Sequence, residues 1–407
     1  MNRTTQVVVG IALAVIIGAM GFIGGFAVSH LDAFAFTFSN IPATRGSAST
    51  ASPVWSKVDQ VKSLLKAQAL EPPSETSATA GAIQGLLGSN GDKYATYFDA
   101  THYKAFNEET MGSFGGIGVQ LGENKQGQAY VVDVYKGTPA EKVGIKKGDV
   151  FVSIDATRSA KWTTEEVVKR VRGKEGTDVK LVMYRPTKTG AMTGTELPFT
   201  VTRARIDYPN VTTELYGKVG YVRLGQFNAK SASELTRAVN DLTAKGAKAF
   251  VFDLRDDPGG LLDQAVDVSS LFIKDGVIVR VDERNKPEKE YQATGNKITD
   301  APLVVLINSN SASASEIAAG ALQDYGRAVL VGEKSFGKGS VQTILPLSDG
   351  SAVKFTIAHY LTPKKRVING IGLTPDVVVA MDPMKELDKT TDIQLKKAIE
   401  LANQKIK

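Results

Sequence analysis

From Gly217 onward, short continuous apolar runs alternate with amphipathic stretches. Val219 to Leu224, Ala249 to Leu254 and Pro302 to Ile307 read as strands, and Val329 to Gly332 and Ala352 to Ala358 as further strands. The second and third are apolar on both faces, as buried strands are. Between them, Ser231 to Ala244 and Leu261 to Phe272 have helical spacing. Strand and helix in alternation predict a largely parallel sheet covered by helices. Residues 112–186 follow another pattern: strands opening at Gly115 to Val119, at Tyr130 to Val134, after Gly148-Asp149, and at Val179 to Tyr184. A short helix begins at Gly137-Thr-Pro-Ala140, and Thr163 to Val171 is an amphipathic helix. Helical spacing also marks Val54 to Leu70, Glu75 to Leu87 and Met384 to Ile406.

The N-terminus carries a different signal. From Val7 to Val28 the chain runs 22 residues without a charge. At about 1.5 Å per residue that length spans a bilayer core. Arg3 precedes the run and Asp32 is the first charge after it, which predicts the N-terminus inside and the rest outside. Residues 1–36 thus read as a signal anchor with one transmembrane helix, in a single-pass protein of the cell membrane whose catalytic domain is extracytoplasmic. The alternative is a signal peptide cleaved after Ala33-Phe-Ala35. Residues 37–53, rich in Ser, Thr, Ala and Pro, form a flexible tether.

Composition removes several classes of function. With 407 residues, two or three domains are expected. The net charge of +6 is spread along the chain, and Lys364-Lys365-Arg366 reads as a solvated loop, so no nucleic-acid partner is implied. There is no cysteine, which excludes disulfides, thiolate catalysis and cysteine zinc sites. Of the three histidines, His30 ends the apolar run, and His102 and His359 lie in no triad motif.

The chemistry concentrates around Ser313 and Lys338. Asn308-Ser-Asn-Ser-Ala-Ser-Ala-Ser-Glu316 follows an apolar strand and leads into a helical pattern, placing a serine at a tight bend. Such a bend exposes a hydroxyl beside free N–H groups. A lysine in a dry pocket can serve as its base in place of histidine. Local sequence leaves alternatives open: Ser313 and Glu316 have capping-box spacing, Ser309, Ser311 and Ser315 are neighbours, and Lys338 alone reads as a surface charge. As base, Lys338 needs its pKa lowered from about 10.4 to roughly 7–8 by desolvation. Phe336 and its flanking glycines are expected to wall the pocket. Gln342, four residues on, is a neutral amide suited to orienting an amine without charging it. An oxyanion requires N–H donors, expected from Ala314 and from Gly259 in Asp256-Asp257-Pro258-Gly259-Gly260.

These segments, with Gly320-Ala-Leu-x-Asp324, Phe336-Gly-Lys-Gly-x-Val-Gln342, Asp253-Leu-Arg-x-x-Pro-Gly-Gly260 and Gly372-Leu-Thr-Pro-Asp376, resemble the carboxyl-terminal processing peptidases, or tail-specific proteases. The likeness runs from about residue 55 to about 380. It implies Ser313 as nucleophile, Lys338 as general base and Gln342 as the residue orienting it, without cofactor or metal. It implies an α/β protease core resembling the crotonase and Clp-protease folds, with an inserted PDZ domain. Residues 54–111 then form an N-terminal helical region, 112–186 the PDZ domain, 187–382 the serine-lysine core and 383–407 a C-terminal helix.

By the same resemblance, a substrate's C-terminal carboxylate meets the amides of Ile117, Gly118 and Val119, and its tail adds to a strand edge. Val167, Val168 and Val171 are groove candidates, of which at least one can be ordinary core. Arg172 is expected to couple the PDZ domain to the protease site. Asp324 is given a structural role, with Arg327 or a loop amide. The expected activity is an endopeptidase acting on protein substrates with exposed, apolar, free C-termini. The terminal helices either form a homodimer or pack on their own domains. The alternatives are a PDZ scaffold or chaperone with an inactive protease domain, and an acyl-CoA enzyme, which no residue supports.

Overall fold

The computed structural model describes residues 53–124, 127–159, 161–186, 194–207, 209–381 and 391–406. The described residues divide into two compact units, one within 111–209 and one of 53–110 with those from 210 to 406.

The larger unit begins with helices α1 (Pro53–Gln68) and α2 (Glu75–Gly88), strand β1 (Thr96–Phe98) and helix α3 (Ala100–Thr110). Ser74 caps α2 by accepting the Ser77 N–H. Neither α1 nor α2 buries a residue, and Val54, Trp55, Val61, Leu64 and Leu65 of α1 are exposed.

The smaller unit contains β2 (Ser113–Gly116), β3 (Val119–Glu123), β4 (Ala129–Val134), α4 (Pro139–Lys142), β5 (Val150–Ile154), β6 (Thr157–Arg158), α5 (Thr164–Val171), β7 (Asp178–Pro186), β8 (Gly194–Thr202) and β9 (Ala204–Asp207). Its main sheet has the order β3-β4-β5-β7-β8, so β3 is an edge. The unit extends past 186 because β8 pairs with β7 along its whole length, and β9 returns to β2. A capping box starts α5: Thr163 Oγ1 accepts the Glu166 N–H, and the Glu166 carboxylate accepts the Thr163 N–H. Buried Arg203 donates to the carbonyls of Val171 and Arg170, satisfying the end of the same helix.

The chain then returns to the larger unit with β10 (Val211–Tyr216), β11 (Val219–Leu224), α6 (Ser231–Ala244), β12 (Ala249–Asp253), α7 (Leu262–Ser270), β13 (Val277–Glu283), β14 (Lys289–Gln292), β15 (Leu303–Ile307), α8 (Ala314–Asp324), β16 (Ala328–Gly332), β17 (Ser340–Pro346), β18 (Ala352–Leu361), β19 (Val377–Val378) and α9 (Ile393–Gln404). The order β10-β11-β12-β15-β16-β19 is parallel except for β10. Alternation decides which side chain meets which layer. Leu303, Val305 and Ile307 join the core with α6, α7 and α8, while Val304 and Leu306 face α9. Both faces are therefore covered, as the continuous apolar runs predict. The second sheet, β1-β18-β13-β14 with β17 on β18, is antiparallel.

The C-terminal helix follows one of its two expected readings, packing on its own domain, and one expectation changes. α9 buries Leu395, Ala398 and Ala402 against its own sheet, so its apolar face is taken up at home. The single-pass membrane assignment is withdrawn: among the described residues no helix is long and apolar enough to cross a membrane. The run 7–28 on which that assignment rested lies outside the described residues.

Candidate active site

Ser313 sits where β15 turns into α8. Its φ of 54° is strained for a residue with a Cβ, and this bend starts the helix at Ala314. The neighbouring hydroxyls have other partners. Ser311 Oγ donates to the Leu254 carbonyl at 2.7 Å and Ser315 Oγ to the Asp257 carbonyl at 2.9 Å, while Ser309 is exposed. The Ser313 side chain instead meets the hydroxyl of buried Tyr360, which also donates to the Lys338 carbonyl.

Glu316 joins the two loops. Its carboxylate accepts the Ser313 N–H at 2.9 Å, the Lys338 N–H at 2.8 Å, the Gly337 N–H at 2.7 Å and the Ser335 hydroxyl at 2.5 Å. Burial raises the Glu316 carboxyl, and these four donors oppose the rise. The capping-box spacing is thus real, but the acid's second oxygen ties the serine bend to the lysine loop.

Lys338 is 3% exposed. Its Nζ lies 4.7 Å from the ring centre of Tyr94, in the segment before β1. Desolvation lowers its pKa to about 6, helped by the charges of Lys354 and Lys93 and opposed by Glu316 and Asp92. Lys354 is itself buried and lowered to about 8, chiefly by desolvation. Phe336 is 56% exposed and is not the apolar wall; the ring of Tyr94 lies against the Lys338 amine instead.

Gln342 is buried on β17 opposite Thr356 of β18, next to a bulge between Val341 and Gln342. A bulge re-aims the side chain that follows it. The four-residue spacing from Lys338 does not put the two side chains on one strand face, because Lys338 precedes the strand, which begins at Ser340. The Gln342 amide donates to Ser340 Oγ at 2.7 Å and to Thr356 Oγ1 at 3.3 Å. Its Oε1 has no partner among the described residues. Asp92 fixes this wall by accepting the Thr356 N–H at 2.6 Å and the Tyr94 N–H at 2.9 Å.

Ala314 opens α8, where first-turn N–H groups have no intrahelical acceptor. Gly259 has a φ of 95°, which favours glycine, and its N–H donates to Asp257 Oδ1 at 2.7 Å. Asp324 has the loop-amide partner expected, the Lys364 N–H at 2.8 Å. Its cation is Arg366 at 2.6 Å, whereas Arg327 donates to carbonyls of Phe272, Thr299 and Ala301. Asp253 and Arg255 are also structural: Arg255 bridges Asp253 and Asp392, tying the end of β12 to the cap of α9.

In the smaller unit the chain turns into edge strand β3 at Gly118, whose φ is 85°; a Cβ there would lie 2.4 Å from Thr138. The Ile117 carbonyl accepts the Ala140 N–H, and the Gly118 carbonyl accepts the Tyr135 N–H. Val167 and Val171 belong to the core, which leaves Val168, 37% exposed, as the outward valine of α5. Arg172 ends α5 with its guanidinium 4.5 Å from the Phe114 ring centre.

Residues 218–379 match the model for peptidase family S41, and residues 115–196 match that for PDZ domains. A carboxyl-terminal-processing protease of Picosynechococcus sp. is 37% identical over 84% of this chain and 83% of its own. The carboxy-terminal processing protease CtpA of Bacillus subtilis is 36% identical over 84% of this chain and 74% of its own. A solved photosystem II D1 C-terminal processing protease is 31% identical with a TM-score of 0.46, covering 80% of this chain and 91% of that one. The chain belongs to the carboxyl-terminal-processing proteases. It is a serine protease of family S41 that carries a PDZ domain.

In this protease, sequence reasoning left out three groups close to Ser313 and Lys338. Tyr94, Tyr360 and Lys354 reach the site from segments 244, 22 and 16 residues away in sequence. Only Tyr360 carried a local signal, as an apolar-run residue with a polar end that needs a buried partner.

Proposed function

We propose that this protease cleaves protein substrates with a Ser313–Lys338 dyad after its PDZ domain takes up a free C-terminus. The observation that carries the reading is Lys338, buried on Tyr94 and tied through Glu316 to the bend bearing Ser313. With its pKa lowered to about 6 by burial, the amine is mostly neutral at pH 7. It takes the Ser313 proton as Oγ attacks the peptide carbonyl, giving an acyl-enzyme that water then hydrolyses. Gln342 orients the amine, its Oε1 being an acceptor without another partner. The Ala314 and Gly259 N–H groups bind the oxyanion. A fluorophosphonate is expected to label Ser313; an adduct on Ser309, Ser311 or Ser315 instead would sink the assignment.

Edge strand β3 and the Ile117-Gly118-Val119 turn support tail capture by strand addition, with Val168 of α5 favouring an apolar terminal residue. Amidating the C-terminus of an unfolded substrate removes the charge that the turn binds. KM should then rise by about tenfold or more, the scale of a charge-assisted contact of roughly 1.5–3 kcal/mol. Equal KM for acid and amide removes the tail-capture reading.

Arg172 ends the helix that flanks the β3 edge, which supports a role in signalling occupancy to the dyad. Arg172→Ala should lower kcat on a tailed substrate while calorimetry finds tail affinity unchanged. An unaltered kcat removes this role. The exposed face of α1 supports self-association through the N-terminal helices rather than through α9.

A further inference from the structure

The Gly259 N–H already has a partner. It donates to Asp257 Oδ1, closing a turn through Pro258. Asp257 is fully buried, and its Oδ2 has no hydrogen-bond partner among the described residues. The main chain of Asp257 is fastened to the nucleophile bend: its carbonyl accepts the Ala312 N–H at 3.1 Å and the Ser315 hydroxyl at 2.9 Å. One carboxyl oxygen thus occupies the Gly259 donor, and the other has no hydrogen-bond donor among the described residues.

We propose that Asp257 is a positioning residue of the oxyanion loop whose charge state decides whether the Gly259 N–H serves the reaction. This rests on the reading of Gly259 as an oxyanion donor. As Ser313 Oγ bonds to the carbonyl carbon, its proton passes to Lys338 Nζ and the carbonyl π pair moves onto oxygen. Asp257 exchanges no proton with the substrate. An ionised carboxylate holds an N–H more strongly than a neutral acceptor does, and it places negative charge beside the forming oxyanion. The neutral acid holds the N–H weakly and gives it up.

Burial, more than the groups facing it, favours the neutral form of Asp257. Burial pushes its carboxyl well above the usual range. The Gly259 N–H, the Ser315 side chain on α8 and Arg223 on β11 oppose that shift, and the charge of Asp253 at the end of β12 adds to it. Arg223 is shared with Asp256 at 3.4 Å, and Asp253 is held by Arg255.

The experiment is the pH profile of kcat/KM on a peptide ester for wild type and Asp257→Asn, which keeps the turn but cannot ionise. Wild type should lose about tenfold per pH unit on its alkaline side, as a single ionisation requires. The Asn variant should lose that fall and keep the acid limb set by Lys338. A folded Asn variant that retains the alkaline fall, or that is inactive at every pH, overturns the proposal. In wild type itself, the infrared band of a buried carboxylic acid should vanish with the same midpoint as the rate; a different midpoint also overturns it. A thiono ester, a poor oxyanion precursor, separates the two readings. If wild type does not prefer the oxo ester, the Gly259 reading fails as well; if the preference holds but the Asn profile is unchanged, only the role of Asp257 falls.

Discussion

Ser313→Ala and Lys338→Ala should each lower kcat on an unfolded protein by about 10⁴-fold or more, the scale seen when one member of a nucleophile–base unit is removed. Neither group has a substitute: the neighbouring hydroxyls are held by main-chain carbonyls or lie exposed. The histidines do not replace Lys338 either. His102 is an exposed partner of Asp99, and His359 is exposed on β18. The combined His102→Ala, His359→Ala variant should therefore keep most activity, and a folded but inactive variant would contradict the dyad. The pH profile gives a second check. A lysine whose pKa falls from about 10.4 to about 6 has its charged form disfavoured by roughly 6 kcal/mol, far more than surface pairs supply. In the proposed dyad the neutral amine is the active form, so kcat/KM should rise with pH through about 6 to a plateau, ahead of the alkaline fall that ionisation of Asp257 imposes. A rise centred several units higher would mean that Lys338 is solvated during turnover.

The sheet was legible because burial writes itself into the sequence. Val219–Leu224 and Ser231–Ala244 appear with the bounds that their periodicity predicts. Residues 382–390 lie outside the described residues, and the described C-terminal helix covers Ile393–Gln404. β17 was missed because Ser340, Gln342 and Thr343 carry no strand-like apolar alternation; its pairing with β18 defines it. The residues of the proposed site are of two kinds. Ser313, Lys338 and Gln342 sit in local motifs that resemblance identifies. Tyr94 and Lys354 matter only because folding brings them to Lys338, a contact that no local spacing encodes. Phe336 misled for the converse reason, since an apolar residue beside a buried one can itself face solvent.

Glu316→Ala should disable the enzyme and loosen its fold together. The substitution strands the N–H groups of Ser313, Gly337 and Lys338 and the Ser335 hydroxyl in a buried site. Unsatisfied buried donors cost about 1–3 kcal/mol each, so a loss on the order of 4 kcal/mol is expected after water relieves some of them. For a unit of this size that is a fall of about 10 °C in Tm. Because one carboxylate sets both the serine bend and the lysine loop, misplacing them should also lower kcat by about 10²-fold or more. Glu316→Gln distinguishes this role from a purely structural one. The amide keeps one oxygen, which can still accept two of the four donors, so it should melt between wild type and the alanine variant. It also removes a charge that raises the pKa of Lys338, so its acid limb should move to lower pH. A glutamine variant whose residual activity rises at the same pH as wild type would leave Glu316 a packing residue only. An alanine variant as heat-stable as wild type would mean that the four donors find other acceptors.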